Sequence, residues 1–147
     1  MRPPLAELLD LDPHPEGGWY RRTWTAPAAA ALDDGRTRAA ASMILFLLPA
    51  GEVSVWHRVA SDEIWLAHQG RVTLELGGTG PTPSTDSHAT LGVDLELGGA
   101  PQVVVPAGTW QRTRPSDLDA LVTCVVSPAF DFADFELEPH DRRARRP

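Results

Sequence analysis

The chain has 147 residues, 42% of them hydrophobic, and a formal net charge of −7. That length suits one domain with a closed core, and the acidic balance argues against a nucleic-acid partner, which needs a positive surface. No apolar run reaches the roughly 20 residues of a membrane-spanning helix, and the first residues lack the apolar stretch of a secretory signal, so a cytoplasmic protein with no membrane partner is expected.

Leu5, Leu8 and Leu9 share one helical face, and Pro13 and Pro15 prevent continuation, which predicts a short N-terminal helix capping the fold. After Gly17-Gly18, residues 19–25 are aromatic and β-branched and read as a strand. The alanine-rich stretch 26–35, with Pro27 and Asp33-Asp34-Gly35, reads as a loop. Residues 42–48, 52–59, 63–69, 71–76, 102–105, 110–114 and 121–126 form short runs bounded by turn residues, the pattern of an all-β sandwich or barrel. Strict alternation in 71–76 predicts one face on the core and one in water. Residues 43–48 do not alternate, which predicts cover on both faces. Residues 77–89, dense in Gly, Pro, Ser and Thr, read as a surface loop. The arginine-rich end, residues 139–147, reads as a flexible basic tail, so the single domain 1–147 has its core at about 5–138.

Cys124, the one cysteine, lies in an apolar run and reads as a buried inert thiol. All 13 basic residues are arginine, so there is no lysine for a Schiff base, and Tyr20 is the one phenol available as an acid. The informative stretch is 51–70. Period-two geometry puts Val55, His57 and Val59 on one face of a strand and Glu63, Trp65 and Ala67 on one face of the next. His57 and Glu63 are thereby expected to meet inside a barrel. His68 falls on the opposite face from Glu63, at the surface or an interface, and Arg112 and Arg114 flank Gln111 on the other face, solvated or at a subunit contact.

Gly51, His57, Glu63 and Gly70 resemble the first cupin motif, with Val59 in place of its second histidine. Pro106-Ala107-Gly108-Thr109-Trp110-Gln111 resembles the second, with glutamine at the metal-binding histidine; Gly99 stands one residue farther from Pro106 than that motif has it. The wider pattern resembles the cupin 5 family, DUF985. It is carried by His14-Pro15-Glu16-Gly17-Gly18-Trp19-Tyr20-Arg21, by Trp56-His57-Arg58 with Ser61-Asp62-Glu63-Ile64-Trp65, and by Val104-Val105-Pro106-Ala107-Gly108-Thr109-Trp110-Gln111. Ser127-Pro128-Ala129-Phe130-Asp131-Phe132-Ala133-Asp134-Phe135-Glu136 completes it. The resemblance implies a cupin double-stranded β-helix, a jelly-roll barrel, forming a homodimer, with a pocket lined from the two motif regions and no firmly assigned reaction.

Three functional readings compete with a purely structural role for a buried His57–Glu63 pair. In the first, a binding module, Trp56, Trp65 and Trp110 supply apolar walls, His57, Glu63 and Gln111 supply oriented hydrogen bonds, and Arg21 or Arg22, whichever points inward, meets an anionic group. In the second, an isomerase or epimerase acting on a sugar or nucleotide sugar, His57 is the general base, Glu63 orients it and Tyr20 is the acid. In the third, a divalent metal is held by the reduced set His57, Glu63 and Gln111. Two strong ligands rarely hold a transition metal, so no cofactor is expected. The favoured reading is binding of a small polar or sugar-like metabolite without a tightly bound metal. His14, between two prolines, is assigned to ordering the approach to the first strand.

Overall fold

Pro4 opens the helix α1 (Pro4–Leu8), where a missing backbone N–H costs nothing, in the computed structural model, which describes residues 1–141. The arginine cluster of the expected tail lies outside them. The chain then runs through β1 (Asp12–Pro13), β2 (Trp19–Thr25), β3 (Ala29–Ala31), β4 (Thr37–Ala39), β5 (Ser42–Leu48), β6 (His57–Arg58) and β7 (Asp62–Gln69). It continues with β8 (Arg71–Leu76), β9 (Ser87–Gly92), β10 (Gln102–Val105), β11 (Gln111–Thr113), β12 (Ala120–Ser127) and β13 (Glu136–Leu137).

Two antiparallel sheets face each other, one in the order β1-β2-β5-β12-β7-β10 and the other in the order β13-β6-β11-β8-β9. Non-consecutive neighbours in both sheets give the jelly-roll barrel its crossovers. Phe46, Leu48, Trp65, Leu74, Leu91, Val105 and Val122 fill the space between them. β5 explains its lack of alternation: Ile44, Phe46 and Leu48 turn to this core, while Leu45 and Leu47 turn outward to Ala6, Leu11 and Trp19, the layer that α1 lays over the sheet. Among the described residues no helix is long and apolar enough to cross a membrane.

Four expectations need correction. Residues 26–35 are not all loop, because β3 pairs with β4 in a hairpin whose turn is held by Asp34 accepting from the backbone and side chain of Arg36. Residues 52–59 contribute only His57 and Arg58 to a sheet; Val55 instead donates its N–H to the Glu16 carbonyl, while the Ser54 N–H donates to the Thr113 hydroxyl and its carbonyl accepts from the Thr113 N–H. The expected loop 77–89 runs into β9, an edge strand whose first residues are too polar to read as one. Glu75, on the face expected in water, is 4% exposed, because Arg112 and Arg114 reach across the sheet and pair with both its oxygens. The two arginines are therefore engaged rather than merely solvated, and they hold Glu75 below the usual carboxylate range against the opposing effect of its burial.

Candidate functional site

The barrel is open at the end where β2, β5, β6 and β12 converge, and a cavity of about 470 Å³ enters there. Its floor is built from two directions. β6 and β7 deliver His57 and Glu63 inward, as alternation requires. The turn before β2 delivers His14 and Glu16. That turn closes because Gly17 takes φ +104° and passes so near β6's approach that a Cβ there would stand 2.1 Å from the Val53 carbonyl oxygen. Glu16 is consequently pressed under the barrel wall, 6% exposed.

His57 is fixed at both nitrogens. Nδ1 lies 2.7 Å from the Val55 carbonyl, which only accepts, so Nδ1 carries a proton. Nε2 lies 3.1 Å from Oε2 of Glu16, and Ser54 donates its hydroxyl to the other oxygen of that carboxyl at 2.9 Å. Burial lowers the affinity of His57 for a second proton and raises that of Glu16 for its own, so one proton is shared between them. His14 accepts the backbone N–H of Glu16 at Nδ1, which puts its ring proton on Nε2, and burial keeps it neutral.

Glu63 is positioned by a relay. The Trp65 indole can only donate and does so to Oε1 of Gln111 at 3.0 Å, which turns the amide nitrogen of Gln111 toward Glu63 at 2.6 Å. Burial, with the charge of Glu16 adding to it, overcomes the attraction of His57 and pushes the Glu63 carboxyl up to about 7. Cys124 also bonds Glu63, and burial drives its thiol well above the usual range, so it is inert as the sequence implies. Among the described residues no buried side-chain nitrogen or oxygen lacks a partner.

The structure brings His57, Glu63, Tyr20, Arg21 and Arg22 together around the cavity. It does not bring the tryptophans there. Trp56 and Trp110 each precede an inward residue, His57 and Gln111, so they point to the outer side of their sheet. Arg112 covers Trp56 at 4.6 Å and Arg58 covers Trp110 at 4.5 Å. Trp65 and Gln111 do point inward, but they stand behind Glu63 and support it rather than lining the space. The walls are instead Tyr20, Phe46, Phe130 and Phe132. The last two come from the chain after β12, which crosses the mouth and is tied down by Arg22 donating to the Phe130 carbonyl and Phe130 donating to Ser42. The near carboxylate of His57 is Glu16, not Glu63. His14 does more than order the approach to β2, since its ring borders the cavity and meets Tyr20 edge-on at 4.5 Å.

The residues present do not fit a cupin metal. Val59 offers no donor atom, and Gln111 offers only a neutral amide oxygen that already accepts from Trp65. Among the described residues no three His, Cys, Asp or Glu side chains come together as a ligand set.

A family model described as "Cupin superfamily (DUF985)" matches residues 4–138. Among solved structures, a protein from Shewanella oneidensis is 38% identical, with a TM-score of 0.79 over 91% of this chain and 82% of that one. A hypothetical protein from Leishmania major is 30% identical, with a TM-score of 0.79 over 90% and 84%. A dTDP sugar isomerase from Desulfovibrio desulfuricans G20 shares 17% identity at a TM-score of 0.58 over 88% of each chain, a likeness of fold alone. No curated protein matches the chain.

Proposed function

The chain belongs to the DUF985 family of the cupin superfamily, and from that premise we propose that its barrel binds a small polar metabolite, of the size and hydrogen-bonding character of a sugar, without a tightly held metal. One observation carries this reading. A cavity of about 470 Å³ is walled by aromatic rings and floored by His14, Glu16, His57 and Glu63, a mostly apolar space with a few convergent polar groups. A barrel selected only for stability has no use for four ionisable side chains under such a hollow, because desolvating them is costly. The same reading takes the chain as a homodimer, for which sedimentation velocity is the test; the open edge strand β10, with Val104 exposed, is the kind of surface that a second subunit covers.

The test of binding is a thermal-shift and calorimetric screen against monosaccharides, nucleotide sugars and organic acids. A specific ligand raises the melting temperature by mass action, and the shift disappears in a variant that fills the cavity, such as Val126→Trp. No shift with any class would sink the proposal.

A second reading, proton transfer on the bound molecule, is supported by Tyr20 and Glu63 bordering one space. His57 is poorly placed as the base because both its nitrogens are engaged, whereas Glu63, at about 7, both gives and takes a proton near neutrality. Any sugar found to bind is then incubated in deuterium oxide. Exchange of a carbon-bound hydrogen that is lost in Glu63→Gln supports isomerase or epimerase chemistry, and no exchange leaves binding as the function.

A further inference from the structure

We propose that the cavity selects an organic cation, a small ammonium compound that also carries a hydroxyl, with its charge lodged among the rings of Tyr20, Phe46, Phe130 and Phe132 and against the carboxyl of Glu63. The inference rests on the binding reading above and narrows its ligand.

The lining is lopsided in charge. Asp12, Glu16, Glu63 and Asp131 border the space, against two cations, Arg21 and Arg22. Both arginines are exposed at the mouth, and each already donates to a backbone carbonyl, of Leu9 and of Phe130. Among the described residues no arginine reaches the floor, and the chain contains no lysine. Glu63 is bonded by a neutral amide and a thiol, and Glu16 by a hydroxyl and an imidazole with which it shares one proton. A ligand anion buried here would meet carboxyl groups, while the two bordering arginines of the described residues stay at the mouth.

The rings point the same way. Three of the four phenylalanines and the one tyrosine border the cavity, although none of the five tryptophans does. Aromatic faces carry negative electrostatic potential and attract ammonium groups, most strongly where water is excluded. Phe130 and Phe132 lie edge to face at 4.8 Å, and His14 meets Phe46 edge-on at 5.8 Å and Phe132, tilted, at 6.0 Å, so these rings form one connected wall.

The hydroxyl follows from His14. Its side chain borders the cavity, its Nδ1 accepts from the Glu16 backbone, and its Nε2 therefore carries a proton that a ligand hydroxyl can accept. An ammonium alone cannot.

Glu63 adds a measurable consequence. Around it stand His57 on β6, Glu16 and His14 from the turn before β2, Gln111 on β11 and Cys124 on β12, and the carboxyl sits at about 7. An arriving cation favours the ionised form, so binding at neutral pH releases a proton.

Three probes of one shape separate the possibilities: 4-aminocyclohexanol, cyclohexane-1,4-diol and 4-hydroxycyclohexanecarboxylate. Calorimetry at neutral pH, in two buffers of different ionisation enthalpy, is expected to show the amine binding about tenfold tighter than the diol, with proton release, and the carboxylate weakest. Glu63→Gln and, separately, Phe132→Leu are expected to weaken the amine far more than the diol, removing most of the amine's advantage. Phe132 is half-exposed, so the second variant does not disturb the core. A diol bound as tightly as the amine overturns the cation inference and leaves the polar-metabolite reading standing, as does an amine advantage that survives both substitutions. Failure of all three probes and of every sugar overturns both.

Discussion

Oε2 of Glu16 lies 3.1 Å from Nε2 of His57, and because the far side of the imidazole must donate to the Val55 carbonyl, the two side chains hold a single proton between them. Replacement of Glu16 by glutamine keeps this arrangement, since an amide N–H serves Nε2 and the amide oxygen still accepts from Ser54. Glu16→Gln is therefore expected to change stability by less than about 1 kcal/mol, whereas Glu16→Ala strands a buried nitrogen and a buried hydroxyl and costs about 2–4 kcal/mol. Urea unfolding of the two variants reads the difference. Equal losses would contradict the shared proton.

Glu63 makes stability depend on pH with a definite sign. Its carboxyl is raised from 4.5 to about 7 in the folded state, so between those values the folded chain holds a proton that the unfolded chain has lost. Stability contributed by this group is full below about 4.5, falls as pH rises and is gone above about 7. His14 and His57, whose pKa values burial lowers, act in the opposite sense, gaining as pH rises toward 6.5. Comparison with Glu63→Gln removes them, since both proteins carry them. The variant is expected to gain on the natural chain as pH rises from about 5 to 8, by up to about 2–3 kcal/mol. A parallel pair of stability curves across that range would show that Glu63 ionises normally.

Where apolar and β-branched runs bounded by turn residues, or side-chain alternation, govern position, the sequence is readable. The strands at 19–25, 42–48, 71–76 and 102–105 stand where the hydrophobic pattern puts them, and the inward aim of His57 and Glu63 follows from period-two geometry. The same rule, applied one residue further, turns Trp56 and Trp110 outward; aromatic character outweighs it in the sequence reading, and the cation contacts with Arg112 and Arg58 show where those rings went. Glu16 and Phe132 lie in a turn and a 3-10 segment, where no period exists, so composition and spacing say nothing of their approach to the cavity. Their only trace is membership in the stretches 14–21 and 127–136 that resemble the family. β9 escapes notice because its outer half is polar and pairs on one side only.

Two substitutions separate this site from a metal-binding cupin, and restoring them tests that account. In Val59→His/Gln111→His, His57 and Glu63 gain two imidazole partners, and the double variant is expected to retain a divalent ion in stoichiometric amount, with a higher melting temperature. Val59→His alone is expected to fall short, because Gln111 still gives its oxygen to Trp65. Elemental analysis of chelator-treated and reloaded protein decides it. A natural chain that regains a stoichiometric ion, with thermal stabilisation, would show that waters or another group complete the ligand set.

The turn that carries Glu16 offers the most local test. Gly17 and Gly51 both have positive φ, +104° and +79°, so an alanine at either position meets backbone strain of about 1–2 kcal/mol. Their surroundings differ: a Cβ at Gly51 meets nothing within 4 Å, while one at Gly17 falls 2.1 Å from the Val53 carbonyl oxygen, too close for any rotation of a side chain to relieve. Gly17→Ala must push the turn away from the segment leading into β6, and Glu16 moves with it, away from Ser54 and His57. It is expected to cost about 2 kcal/mol more than Gly51→Ala and, unlike that control, to change the titration of His57 followed by imidazole NMR. Equal costs and an unchanged His57 would mean that the turn yields without disturbing the floor of the cavity.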